Sequence, residues 1–586
     1  MLNEVKSLCF LSGKKILLFI ILFYNANFIE GQIWNITYTP VGNPTIYDMV
    51  SLGSPQVVYQ DPTMYNYIHL VLVYAPAGDP WGTFPNRRTK YYHSTNKGLS
   101  WSFITDLPNT SPTNSAFASI TTTSDGCAIV SNTSYYGTNN TRGQLFVDVF
   151  PGLGGFTRIF LDTGTTYVKW VSTQSITFTN KAIILATKRD NNSNPAVYKN
   201  ILLSLTNQNF SGWSQTDAAP FDCYSIAKSI SGKIGIVYRV NENYQPGQYG
   251  CVYFMESTDN GTSFSIPLKI YQAKFTGGNA DSLGANKGLS LAYCQDIPVA
   301  VFELVKQNTS GIIYPAGNAK IMCWASTLPG SDPERCVKIA DTSNIPYPRD
   351  SLSKTDPDNY GFLSRPVAGA SSTNNALFVA FQVKTGRKGG IHDTVNFKKI
   401  YFTYGKPPFV SWRTPVNISP AGSLTDWSYP SISPWNDYAY PYFLCYVTAL
   451  SDSIPGTYVN SQQNGESQAR MNFIKLSILT NINQINTEIP EDFILYQNYP
   501  NPFNPVTKIK FEISPFYPPL GKGGNGGVSL KIFDILGKEI TTLVNEQLSP
   551  GTYEVTFDGS NLPSGIYFYQ LRCGEYMETK KLVFLK

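Results

Sequence analysis

The chain has 586 residues, more than one hydrophobic core usually serves, so at least two domains are expected. Charged residues make up only 15%, while 38 Tyr and 34 Phe lift aromatics to 14%, a mixture that favours sheet over helix. Its 45 basic and 40 acidic residues form no long run of like charge, which leaves no electrostatic case for a nucleic-acid partner. In chain order, the first element is a basic pair, Lys14 and Lys15, directly before the apolar run Ile16 to Tyr24. That layout predicts a secretory signal peptide over 1–31, cut between Ala26 and Gln32; the alternative is a buried first strand. No later stretch is apolar enough over enough length to span a bilayer as a helix.

From Gln32 to Asn486 one theme repeats: a short apolar or alternating strand, a turn rich in Gly, Asn, Ser and Pro, then another strand. The innermost strands are expected at His69 to Tyr74, Cys127 to Ser131, Ala182 to Thr187, Ile234 to Arg239, Val299 to Leu304, Ala376 to Val383 and Tyr442 to Thr448. Their spacing of roughly 50 to 75 residues suits a four-stranded blade with long loops, which predicts a six- or seven-bladed β-propeller over 32–486. Beyond Cys9 of the signal, eight cysteines stand at Cys127, Cys223, Cys251, Cys294, Cys323, Cys336, Cys445 and Cys573, with no Cys-x-x-Cys pair. Zinc is not expected; a Cys323–Cys336 bridge is chemically open, and lone buried thiols are favoured.

Two turns share one pattern: Ser94-Thr95-Asn96-Lys97-Gly98-Leu99-Ser100-Trp101 and Ser257-Thr258-Asp259-Asn260-Gly261-Thr262-Ser263-Phe264. An eroded third copy runs from Tyr404 to Trp412. They resemble the Asp-box (BNR repeat) of sialidase-like propellers, with Asn96 in place of Asp and Phe264 in place of Trp. Ser94, Asn96, Gly98, Trp101, Ser257, Asp259, Gly261 and Phe264 are therefore expected to be architectural: the polar side chain accepts backbone N–H groups, Gly takes a positive φ, and the ring packs back on the sheet.

After Asn486 the grammar changes to a proline-rich stretch, Pro500-Asn501-Pro502-Phe503-Asn504-Pro505, followed by alternating strands at Thr507 to Ile513 and Val528 to Asp534. Gly537, Gly551, Ser564, Gly565, Tyr567 and Lys581 then follow in a spaced order up to Lys586. Residues 487–586 resemble the type A C-terminal sorting domain of the type IX secretion system. The resemblance implies a seven-stranded, immunoglobulin-like β-sandwich, export across both bacterial membranes, removal of the domain and attachment to surface lipopolysaccharide. Residues 514–527 lengthen a normally short connection and read as a flexible insertion that could obstruct recognition by the export machinery.

Catalytic chemistry finds little support. Sialidase-like enzymes are similar in using three arginines, a Tyr/Glu pair and an Asp; the Phe/Tyr-Arg-Ile-Pro motif is absent, and Arg239, Arg349 and Arg365 are the arginines a triad would draw on. Three histidines, His69, His93 and His392, leave no basis for a histidine-dependent triad or metal site. Asp281, Asp296, Glu303, Asp350 and Asp356 are the carboxylates from which an acid and base would be drawn, and no pair is singled out. No catalytic residue, cofactor or metal is assigned. Trp427, Tyr429, Trp435 and Tyr438, spaced among Ser, Pro, Asp and Asn, are expected on loops where rings could stack on a sugar or a partner. The functional expectation is a secreted, surface-attached module that binds glycan or protein, with a diverged exo-glycosidase as the alternative and a purely structural role as a third.

Overall fold

The computed structural model describes residues 33–586 except for connecting segments, the longer of which are 48–55, 190–196, 203–213, 216–222, 240–249, 274–282, 308–317, 353–360, 456–467 and 515–527, with shorter gaps between them. The expected signal peptide and the expected insertion, apart from Ser514, lie outside the described residues. Every regular element among the described residues is a β-strand. The chain divides into two compact units, Ile33–Thr480 and, within the described residues, Asn481–Lys586. The boundary falls a few residues before the expected one near Thr487, because strand Ile482–Asn486 pairs with Gly551–Asp558 of the second unit.

Among the described residues the first unit holds seven sheets. Their first strands, taken in chain order as sheets one to seven, are Val58–Gln60, Ser115–Thr122, Tyr167–Ser175, Tyr224–Lys228, Leu283–Cys294, Leu363–Ser371 and Asp426–Ile432. Each touches the first strand of the next sheet, and the seventh returns to the first, so these strands make a closed, propeller-like ring. Hydrogen bonds close the ring as well: Ile33–Thr45 pairs with Ala469–Leu479 as the outermost strand of sheet seven, joining the start of the unit to its end.

The seven runs expected to be innermost fall one per sheet on the second strand instead. The reason is burial. A second strand has a ladder partner on each side and apolar contacts on both faces, so it carries the most continuous apolar run; Ile183, Leu185, Val299, Val301, Leu377 and Val379 are all fully buried. The true inner strands line the axis and are interrupted by Ser, Gly and Pro.

The second unit contains two four-stranded sheets that share one apolar core built from Ile509, Phe511, Leu530, Ile532, Val555, Tyr569, Leu582 and Phe584. Burial alternates along Val506–Ile513 and Val528–Phe533, as expected of strands with one face on a core. With Ile482–Asn486 and Ile494–Leu495 the described strands number eight, one more than the resemblance implies.

Candidate functional site

An innermost strand is a sheet edge with a row of N–H groups that no ladder satisfies. In this ring serine hydroxyls on the preceding sheet accept them. Ser225 Oγ accepts from Leu291 N at 3.1 Å, Ser290 Oγ from Ala368 N at 3.1 Å, Ser431 Oγ from Val57 N at 3.2 Å and Ser433 Oγ from Gln60 N at 2.8 Å. Each bond stitches one sheet to the next around the axis.

Five of the seven inner strands also slip register at a corresponding point: between Ala116 and Ser119, Lys169 and Ser172, Ala285 and Leu289, Ser364 and Val367, and Ser428 and Ser431. Three of these bulges place a non-glycine residue at positive φ: Phe117 at 55°, Arg365 at 51° and Tyr429 at 54°. Such backbone is held only where surrounding groups over-determine it. Glu303, fully buried on Ile297–Lys306, accepts Arg365 N at 2.5 Å and Lys287 N at 3.1 Å. Gln382, on the second strand of sheet six, accepts Tyr429 N at 2.7 Å in the same manner. The Arg365 guanidinium lies 4.4 Å over the Tyr429 ring and so bridges sheets six and seven. Burial pushes the Glu303 carboxyl above its ordinary pKa, against the pull of the Arg365 and Gly288 N–H groups and the Arg365 charge.

On the C-terminal side of the bulges lies an axial cavity of about 40 Å³ to which all seven inner strands contribute. Gln56, Tyr59, Gln174, Tyr224, Lys228, Tyr293 and Trp435 supply its larger polar and aromatic groups, and Lys228 is the one charged residue of the lining among the described residues. Burial lowers the Lys228 pKa to about 8, so at neutral pH the amine still carries most of its charge. Convergent polar groups among rings make it a candidate ligand site, one far smaller than the several hundred Å³ typical of a small-molecule pocket.

The residues singled out from sequence distribute as follows. Both Asp-box-like turns join the third and fourth strands of a sheet. Ser94 Oγ accepts Gly98 N at 2.9 Å and Asn96 Oδ1 accepts Ser100 N at 2.9 Å; Ser257 Oγ accepts Gly261 N at 2.8 Å and Asp259 Oδ1 accepts Ser263 N at 2.9 Å. Bonds from the Ser263 hydroxyl and N–H, and from Ser257, hold the Asp259 carboxyl down to about 2. Gly98 and Gly261 sit at φ of 79°, where a Cβ would lie 2.0 Å from Phe473 and 1.9 Å from Ile183 of the preceding sheet. Trp101 meets Phe473 edge-on, with ring centroids 5.1 Å apart, and Phe264 packs with Ile183 and Ile234. The eroded copy occupies the same turn of sheet six, with Phe409 stacked on Trp412 at 6.2 Å. A further turn that sequence reading missed, Asp148 to Gly155 in sheet two, puts Gly152 against His93 of sheet one in the same way. Its signal was the Gly152-x-Gly154 pair following an acidic residue.

Trp427 and Tyr429 are not on a loop. Both lie on the inner strand Asp426–Ile432 and are 4% and 5% exposed, so neither face is open to a ligand. Trp427 donates Nε1–H to Thr425 Oγ1 at 2.7 Å, which ends its ring in a sealed contact. Trp435 does line the cavity; the side chain of Tyr438 lies outside the described residues. Arg365 is 2% and Arg239 7% exposed, whereas Arg349, Asp281, Asp350, Asp356 and His392 lie outside the described residues. Asp296 caps a turn by accepting Ser231 N at 3.1 Å. Cys323 and Cys336 are thiols, as are the other six described cysteines. His69 and His93 stack at 4.8 Å across two strands, and His69 Nδ1 bonds Tyr91 OH at 2.7 Å. Burial and the neighbouring His93 lower the His69 pKa to about 3.

In the second unit the proline-rich motif clamps the last strand. Asn501 Oδ1 accepts Val583 N at 2.9 Å, Phe503 N donates to Val583 O at 3.0 Å, and Leu585 N donates to Phe503 O at 3.1 Å. The Phe503 ring stands 4.9 Å from Phe584. Thr507 Oγ1 donates to Pro500 O at 2.7 Å, and Gly559 N to Pro505 O at 2.8 Å. Gly537 closes the Asp534 to Lys538 turn at φ 77°, Ser564 Oγ accepts Lys586 N at 2.9 Å, and Tyr567 OH donates to Pro563 O at 2.8 Å. Gly551 and Gly565 open strands, and the Lys581 carbonyl accepts Gln497 Nε2–H at 2.8 Å.

No curated protein matches the chain. Among solved structures it is similar to a polysaccharide lyase described as an ulvan lyase (8% identity, 81% of this chain and 92% of that chain, TM-score 0.33). It is likewise similar to a protein of unknown function from Dyadobacter fermentans (10%, 75% and 99%, 0.33) and to an α-L-arabinofuranosidase from Fusarium graminearum (12%, 59% and 93%, 0.34). Residues 497–585 match the model of the secretion system C-terminal sorting domain. The second unit is thus a sorting domain that engages the type IX secretion machinery, and the chain is exported to the cell surface or extracellular space.

Proposed function

We propose that residues 33–480 are a seven-bladed β-propeller that binds a hydroxyl-rich, glycan-type ligand without transforming it, displayed outside the cell by the sorting domain. The closed ring of seven inner strands supports the blade number. Eight strands over one shared core support an immunoglobulin-like sandwich for the sorting domain. The signal peptide and attachment to surface lipopolysaccharide belong to the same reading.

The observation that carries the binding assignment is the axial cavity, where the half-buried Lys228 and Trp435 offer a cation and a ring face to a sugar. Two buried carboxylates of the ring, Glu303 and Asp426, have other work. Both oxygens of Glu303 accept backbone N–H groups, and Asp426 pairs with Lys398 at 3.1 Å while both are buried.

The test uses the full chain on a glycan array, followed by calorimetric titration of any hit against Trp435→Ala and Lys228→Met. Saturable binding lost in both variants supports the reading. A blank array, or release of sugar from a panel of fluorogenic glycosides, sinks it.

A further inference from the structure

The strand registers of the sorting domain divide it into two ends. At one end lie the start of Val506–Ile513 with its partner Asp558, the turn from Phe533 to Glu539, and Gly565 opposite Phe584. The parallel bridge from Phe503 to Phe584 and the bond from Gly559 to Pro505 bring the proline-rich motif to the same end. At the other end lie Ile513 opposite Gly551, Val528 opposite Cys573, and the turn joining Cys573 to Tyr576. All the singled-out sorting residues but Gly551 gather at or within a few residues of the first end, and the anchors of the insertion, Ile513 and Val528, stand at the second.

Exposed apolar side chains follow the same division. At or beside the first end are Tyr499 at 80%, Val506 at 40%, Ile535 at 68%, Leu536 at 88%, Ile566 at 44% and Leu585 at 52% exposure. Six such groups on one end of a small sandwich are not the scattered single residues of an ordinary surface. Asn501, Phe503 and Ser564 tie the motif, the last strand and Lys586 together, and Asp534 Oδ1, which accepts Leu536 N and Lys538 N at 2.9 Å, holds the turn that carries Ile535 and Leu536. Binding to this end would therefore order little backbone, which lowers its entropic cost.

We propose that this end, with Ile535 and Leu536 at its tip, is the surface by which the domain docks into an apolar groove of the outer-membrane secretion machinery. The partner follows from the sorting-domain match on which the inference rests. The anchors of the insertion, Ile513 and Val528, stand at the end away from this surface.

The test follows the full chain in a bacterium that carries the machinery, measuring surface against periplasmic protein by protease accessibility. Ile535→Asp with Leu536→Asp should lower surface display about ten-fold or more, the loss typical of central interface residues. Leu536→Ser should lower it by less, and both variants should keep the wild-type thermal melt, since these side chains pack on nothing. Met577→Asp, 61% exposed at the other end, and removal of residues 515–527 should leave display unchanged. Normal display of both tip variants, or a loss equal in Met577→Asp, overturns the inference. A chain lacking residues 481–586 separates this from the sorting reading: if that chain also reaches the surface, the domain is not the export signal at all.

Discussion

Glu303 distinguishes a catalytic carboxylate from one that holds the fold. Its Oε1 accepts Lys287 N at 3.1 Å and its Oε2 accepts Arg365 N at 2.5 Å, in a position with no solvent exposure. Glutamine at this site keeps one carbonyl oxygen and turns an NH2 group toward the second backbone N–H, donor against donor. Gln382 shows that an amide can serve one bulge N–H in this ring. Glu303→Gln therefore forfeits one buried acceptor, about 1–3 kcal/mol, and Glu303→Ala forfeits both, about 2–6 kcal/mol. In a unit this large each kcal/mol moves the melting temperature by about 2 °C or less. Calorimetry should show a drop of roughly 2–5 °C for the glutamine variant and about twice that for alanine. The pH dependence has a sign of its own. Because the folded carboxyl is raised above its ordinary 4.5, the folded state keeps its proton longer than the unfolded chain. Its contribution is full below pH 4.5 and declines as pH rises through the folded pKa, and Glu303→Gln should remove that decline. A glutamine variant that melts with the wild type but loses a measurable turnover would refute the structural role.

Three further outcomes are expected. Gly261→Ala adds a left-handed backbone cost of about 1–2 kcal/mol and an overlap with Ile183 of about 1–3 kcal/mol, while Gly422→Ala, at φ 68° with open space around it, adds only the first; chemical denaturation should rank them in that order. His69 stays neutral when buried down to pH about 3, so the folded state binds fewer protons below 6.5 and stability falls on the order of 4 kcal/mol from pH 6.5 to 3; acid unfolding of His69→Gln should lack this component. Lys228→Met should raise stability by about 1–3 kcal/mol below pH 8, with the gap to wild type closing toward pH 10.5 as the unfolded amine also loses its proton.

What could be read from the sequence depended on how local the determining contacts are. The Asp-box-like turns were legible because their bonds span four residues or fewer, from Ser94 to Gly98 and from Ser257 to Gly261. The sorting domain was legible because its motifs sit at turns and at the chain end they pin. The inner strands were displaced by one position because continuous apolar sequence marks the strand with two ladder partners, not the one at the axis. Trp427 and Tyr429 were misplaced because Ser428-Tyr429-Pro430 looks like a turn. In the fold it is a bulge within a strand, as is Ser364-Arg365-Pro366. Proline inside an otherwise strand-like run was the available sign, since an inner edge tolerates a missing N–H only at a bulge.

The site itself depends on contacts that no local pattern encodes. The serine bonds that close the ring join residues 66, 78 and 374 positions apart, and a serine in a short strand gives no hint of which amide it will meet. Once those partners are known, Ser225, Ser290 and Ser431 are accounted for as the groups that satisfy inner-strand N–H donors. The same reasoning removes Glu303 and Gln382, whose acceptors hold the bulges. What remains for a ligand narrows to Lys228 and Trp435, because Tyr293 OH donates to Glu256 Oε1 at 2.8 Å and Gln174 Nε2–H to Thr121 Oγ1 at 3.4 Å, while Tyr59 and Tyr224 are buried among the strands. A ligand that failed to respond to substitution of Lys228 or Trp435 would have to bind elsewhere, on the loops at the rim of the ring.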